Sequence, residues 1–102
     1  MLLDGILQKL AKASGAMQRG DLSEQGESLS AGIRIIDGLR ASLDYSKGGE
    51  LASNLGSMYD YMERRLVEAN LGSDRDIIGE VVSLVNQIKS GWDAIPNEHR
   101  GV

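Results

Sequence analysis

An all-α fold, an antiparallel up-down-up-down four-helix bundle, is what this chain predicts. Three observations carry it: four runs of apolar residues at the three-and-four spacing of a helix face, short breaks between them, and a length that suits one core. The 102 residues allow one compact domain but not two with independent cores. Hydrophobic content of 41% with 25% charged residues is ordinary globular composition. With an aromatic share of 4% and no Phe, the core must come mostly from Leu, Ile, Val and Met.

The first helix is expected over 1–19, with a stripe of Leu3, Ile6, Leu7, Leu10, Ala13 and Met17, and it stops at Gly20. Asp21 with Glu24 three residues on resembles a capping box, in which both side chains satisfy free backbone N–H groups at the start of a helix. The second helix, 22–45, turns Leu22, Leu29, Ile33, Ile36, Leu39 and Leu43 inward. Ser46, Lys47, Gly48 and Gly49 then break it, because paired glycines tolerate a tight reversal and favour helix poorly. A third helix over 50–70 carries Leu51, Leu55, Met58, Met62, Leu66 and Ala69, and Asn70 or Gly72 offers a left-handed cap. Ser73 caps a fourth helix over 74–95, whose acidic first turn complements the helix dipole. Its inward seam is Ile78, Val81, Val85, Ile88, Trp92 and Ile95, with Trp92 as a core anchor. Pro96 closes the bundle, which spans 1–96, and 97–102 reads as a polar tail. Short links force successive helices to be antiparallel neighbours.

Glycine is the oddity. Gly5, Gly15, Gly26, Gly32, Gly38, Gly56, Gly79 and Gly91 fall inside expected helices, where each costs on the order of 1 kcal/mol relative to Ala. Some allow close packing or sit harmlessly at the surface; missing side chains also open shallow grooves.

A net charge of −4 leaves no cationic field for a nucleic-acid backbone, and no apolar run approaches a membrane span. Neither nucleic acid nor membrane insertion is expected. The absence of cysteine suits a reducing compartment, and the start lacks the basic region of a signal peptide, so a cytoplasmic location is expected. Metal chemistry in a bundle needs inward Glu and Glu-x-x-His pairs, whereas the single histidine, His99, lies in the tail. The same position removes a histidine phosphotransfer role. No phosphate-binding glycine loop, serine elbow or thiol is present, and the acid pairs Asp74 with Asp76 and Glu24 with Glu27 sit at helix starts. No catalytic residue, metal site or cofactor is expected: the chain is not an enzyme.

Recognition chemistry concentrates from Leu55 to Asn70, where Met58, Tyr59, Tyr61, Met62, Arg64 and Arg65 crowd a few turns. On the helical wheel Ile35 lies about 100° from the middle of its core stripe, beside Leu39 and among Ala31, Gly38 and Ser42. Tyr61 is offset about as far from its own stripe, next to Asn54 and Met58. These offsets meet in one outer groove between the second and third helices, or point into separate grooves if the bundle winds oppositely. The candidate binding residues are therefore Ile35, Gly38, Leu39, Asn54, Leu55, Met58 and Tyr61, with Leu55 equally readable as core. Arg64 and Arg65 read as cations complementing a helix C-terminus.

Over essentially the whole chain these residues resemble the flagellar secretion chaperone family FliS. The matching segments are Leu2 to Gly5, Leu39 to Asp44, Lys47 to Glu50, Asn54-Leu55, Tyr59 to Met62, Arg64 to Leu66 and Glu68 to Asn70. The resemblance implies a helical bundle without enzymatic activity whose client is the disordered C-terminal segment of flagellin. That segment folds along apolar grooves of the chaperone, which prevents premature polymerisation and keeps it competent for flagellar type III export. Family members usually carry an N-terminal arm ahead of the position matching Leu2, with a part in covering the groove and engaging an export gate component. This chain starts inside its first helix, so a homodimer, including one that exchanges helices, is a further expectation. The competing reading is a self-associating adaptor or regulatory bundle of flagellar assembly.

Overall fold

The computed structural model describes residues 2–43 and 45–94, with the backbone alone at 2, 45–47 and 91–94. Helices α1 (Leu2–Arg19), α2 (Leu22–Ala41), α3 (Tyr45–Gly72) and α4 (Arg75–Ala94) follow one another. Each packs on its neighbour in the chain, and α1 packs on α4, so the four close a ring. Their direction alternates. Gln25 near the start of α2 bonds Asn70 near the end of α3, whereas Arg40 near the end of α2 bonds Asp60 further back in α3. In the same way Asp4 pairs with Lys89 and Ser14 with Arg75 across α1 and α4. The bundle is the antiparallel one expected, 44 × 20 × 18 Å, with no strand among the described residues.

Two of the reversals are built alike. Gly20 takes a left-handed φ of 74°, its N–H donates to the Met17 carbonyl at 3.2 Å, and Asp21 N–H donates to the Ala16 carbonyl at 2.9 Å. That closes α1 while Asp21 Oδ1 accepts from Glu24 N–H at 3.1 Å and opens α2. At the far end of α3 the left-handed residue is Ser73, with φ 48°, not Asn70 or Gly72. Asp74 N–H then donates to the Ala69 carbonyl at 2.9 Å. The expected Ser73 cap is replaced by Asp74, whose Oδ1 accepts from Asp76 N–H at 2.9 Å and Ile77 N–H at 3.3 Å. Ser73 is committed to ending α3, and its hydroxyl donates to Gln25 Oε1 instead.

The middle reversal departs further from expectation. Helix α2 ends at Ala41 and not 45, because Ser42 turns its hydroxyl back onto the Leu39 carbonyl at 2.8 Å and its N–H onto Gly38. Helical backbone resumes at Tyr45, ahead of the expected start at 50, and Gly49 (φ 54°, ψ −126°) kinks it. Only glycine adopts that conformation without strain.

Leu3, Ile6 and Leu10 of α1, Leu29 and Ile36 of α2, Leu55, Met62 and Leu66 of α3 and Ile78, Val81, Val85 and Ile88 of α4 are buried in one core. Each such side chain contributes about 1.5–3 kcal/mol by leaving water. Tyr59, outside the expected stripe, is buried with them, and burial pushes its hydroxyl pKa up. Leu7, Met17, Ile33, Leu39, Leu43, Leu51 and Met58 are half-buried and pack around the core's edge. Leu22, expected inside, is 70% exposed: as the first residue of α2 it stands at the end of the bundle. Small residues bring α1 and α2 together, with Ala13, Ala16 and Gly32 all buried. The side chain of Trp92, together with Ile95, Pro96, His99 and the 97–102 tail, lies outside the described residues.

Candidate functional site

The winding of the bundle decides where the seven candidate residues go. Ile35 Cδ1 lies 3.4 Å from where a Cβ on Gly5 would stand, so Ile35 points toward α1. The Tyr61 hydroxyl donates to Glu80 Oε1 at 3.1 Å, so Tyr61 points toward α4. Ile35 and Tyr61 therefore belong to separate grooves, the second of the two arrangements the sequence allows. Leu39, half-buried, follows Ile35 one turn on, and Gly38 is exposed with open space where a Cβ would be. Asn54 and Met58 precede Tyr61 along one stripe of α3, spaced by four and three residues, with Asn54 exposed and Met58 half-buried. Leu55, 8% exposed, is part of the core. In a ring ordered α1, α2, α3, α4, the α1/α2 and α3/α4 grooves lie on opposite sides of the molecule.

The groove between α2 and α3, which the other arrangement would have them share, is polar. Arg40 bonds Asp37 at 2.6 Å on its own helix, and Asp60 and Glu63 (2.9 Å) across the seam. Asp60 holds the Arg40 pKa above its ordinary value. Glu63, with its side chain 14% exposed, is pushed up to about 7, first by burial, then by the hydrogen bond it shares with Asp37 and by the charges of Asp37 and Asp60; Arg40 opposes the shift. At the other end of this seam Gln25, fully buried, donates from Nε2 to the Asn70 carbonyl (3.2 Å) and to Asn70 Oδ1 (3.0 Å). No buried side-chain polar atom among the described residues lacks a partner.

On the α3/α4 face Arg65 does not complement a helix end as expected. Its Nε donates to Glu80 at 2.8 Å and its Nη1 to Glu68 at 2.5 Å, tying α3 to α4 beside Tyr61. The bond from Arg65 lowers the Glu80 pKa, and Glu80 in turn holds the tyrosine hydroxyl protonated above its ordinary range. Arg64 is exposed.

A further depression, between α1 and α4, has no counterpart among the expected residues. It is an open trough of about 450 Å³ with Leu10 and Ile78 at its base and Leu7 and Val82 at its sides, ending at Ser14 and Arg75. Gly79 leaves it open, since a Cβ there would meet nothing within 4 Å. The glycine, flagged by composition, was the one signal in the sequence; the neighbouring apolar residues look like ordinary core.

Such a molecule is an antiparallel helical bundle with apolar residues edging its inter-helix grooves and ion pairs flanking them, and no His, Cys, Asp or Glu cluster among the described residues could hold a metal. None of the described helices is long and apolar enough to cross a membrane. The family model for the flagellar protein FliS matches residues 1–99, and the chain belongs to that family. It is 48% identical over 95 residues to the flagellar secretion chaperone FliSB of Pseudomonas aeruginosa, covering 93% of this chain and 75% of that protein. Against the flagellar secretion chaperone FliS of Salmonella typhimurium it is 48% identical over 96 residues, 93% of this chain and 71% of that one. The Bacillus subtilis FliS is 35% identical over 101 residues, covering 98% and 74%. The role these relatives are named for, chaperoning flagellar secretion, is not an enzymatic one.

Proposed function

We propose that this chain is a cytosolic export chaperone that binds the disordered C-terminal segment of flagellin, blocks its premature polymerisation and keeps it competent for flagellar type III secretion. The observation that carries the reading is the family match across residues 1–99, whose relatives are named flagellar secretion chaperones. The geometry supports it in a specific way. A segment that folds on binding loses conformational entropy, so it needs long apolar contact and not a deep pocket. Ile35, Gly38 and Leu39 on one side and Asn54, Met58 and Tyr61 on the other give contact on two faces, and the thioether of Met58 adapts to varied partner shapes. Leu55 contributes to the core from the same helix.

Calorimetric titration with a synthetic flagellin C-terminal peptide tests the reading: heat release and a gain of helix in circular dichroism are expected. Neither signal at micromolar protein would sink it. The alternative of a self-associating bundle draws on Leu22, Val67 and Leu71, which are 70%, 50% and 84% exposed. Sedimentation at rising concentration tests that self-association, and client binding decides the chaperone reading whatever the number of copies.

A further inference from the structure

Between α1 and α2 lies a polar hollow of about 240 Å³. Residues 24, 27, 28, 31 and 34 fall at the three-and-four spacing of one face of α2, and Lys9 with Lys12 meets them from α1. A Cβ on Gly32 would lie 3.7 Å from Lys9 Cβ, which sets Lys9 level with Gly32. Because the two helices are antiparallel, Lys12 then stands near Ser28, Arg34 beyond Lys9 at one end, and Glu24 beyond Lys12 at the other. The charges are therefore ordered along the hollow, with cations toward Arg34 and carboxylates toward Glu24.

Two observations set this hollow apart from an ordinary solvated face. Lys9, Lys12, Arg34, Glu24 and Glu27 all line it, yet none forms an ion pair with a described residue. Ser28 keeps only 6% of its surface, and its hydroxyl makes no hydrogen bond with a described residue. Every side-chain polar atom that is wholly shut off from solvent has a partner, so the Ser28 hydroxyl opens into the hollow it lines. Such a hydroxyl forgoes a hydrogen bond that a bound acceptor restores.

We propose that this hollow binds a small free zwitterion, with its carboxylate against Ser28, Lys9 and Lys12 and its ammonium against Glu24 and Glu27. The class follows from the order of the charges. A lone anion gains the three cations but meets Glu27 beside Ser28, and a lone cation gains the two acids but meets three like charges. A molecule carrying both charges satisfies each side, and its carboxylate takes charge-assisted bonds from Ser28 and the lysines. Ser28 and Glu24 stand one turn apart on α2, about 6 Å along its axis, which sets the separation of the two charged groups. Size points the same way, since drug-sized ligands fill about 300–1,000 Å³. The proposal does not depend on client binding.

γ-Aminobutyrate serves as the probe, because its extended chain covers that span, and butyrate and propylamine each keep one of its two charges. In amide NMR at low salt, γ-aminobutyrate is expected to give saturable shifts centred on Lys12 and Ser28, with an affinity about tenfold or more above either analogue. Butyrate binding as tightly overturns the zwitterion class, and shifts that never saturate overturn the site. Ser28→Ala removes a hydroxyl without a partner and improves helix propensity, so its melting temperature is expected to hold or rise. The same variant is expected to bind the probe about tenfold more weakly. A lower melting temperature would assign the hydroxyl to the fold, and unchanged affinity would remove it from the site; either result sinks the proposal. Glu27→Gln separates the two charges, since it is expected to weaken γ-aminobutyrate and to strengthen butyrate severalfold. Both affinities moving in the same direction would contradict the placement of the ammonium.

Discussion

Glu63 stands where burial and like charge work in the same direction. Asp37 and Arg40 face it from α2 and Asp60 from its own helix, and the balance pushes its pKa from the ordinary 4.5 to about 7. A carboxyl raised on folding binds its proton more tightly in the bundle than in the open chain. The stability this contributes is therefore present near pH 5 and lost as pH rises through 7. Thermal unfolding from pH 5 to pH 8 is expected to show a decline on the order of 1 kcal/mol, allowing for solvent screening. Glu63→Gln is expected to flatten that dependence; a slope equal to wild type would exclude Glu63 as its source. Gln25 makes a different kind of contribution. Its amide satisfies the Asn70 carbonyl and side chain and accepts from Ser73. Gln25→Leu leaves those groups without their partner and is expected to cost about 1–3 kcal/mol in chemical denaturation.

Helices were legible as elements because burial repeats with the period of the helix itself: Ile6, Leu10 and Ala13, or Ile78, Val81 and Val85, are spaced as a stripe must be. Their ends were less legible. Ser73 and Asp74 are both good caps, and the choice depends on which residue takes the left-handed φ, a property of the reversal and not of either side chain. Ser42 ended α2 early by bonding back to Leu39, a competition between side chain and helix that composition does not rank. The candidate site was legible only up to winding. Periodicity places Ile35 and Tyr61 off the core stripe but is silent on which neighbour each faces. Gly5 on α1 and Glu80 on α4 supply that answer. Glycines divide accordingly at this scale. Gly38→Ala, in open helical surface, is expected to raise stability by about 0.5–1 kcal/mol, and Gly20→Ala, at φ 74°, to lower it by about 1 kcal/mol. Melting temperatures moving in the same direction for both would contradict this assignment of their roles.

Across the whole molecule, the binding candidates sit on two sides, and the α2/α3 seam between them is polar. Ile35 and Tyr61 share no partner, so their effects on client affinity should be independent. Ile35→Asp and Tyr61→Ala, each checked for helicity, are expected to weaken peptide binding and to add within about 0.5 kcal/mol in the double variant. A larger coupling energy from calorimetry would mean that one contact is made only through the other. The reversals at Gly20-Asp21 and Ser73-Asp74 carry a different consequence. In each, one aspartate both completes the end of a helix and begins the next, so α1 with α2, and α3 with α4, is a self-contained hairpin. What joins the hairpins in sequence is the single stretch between Ala41 and Gly49. Severing the chain there leaves two fragments that each keep their own turn and an apolar face, Leu29 and Ile36 on one and Met62 and Leu66 on the other. The bundle is thus laid out as two hairpins joined at one point, and two polypeptides divided there are expected to recover wild-type helicity in circular dichroism when mixed, with Gln25 and Arg40 setting their register.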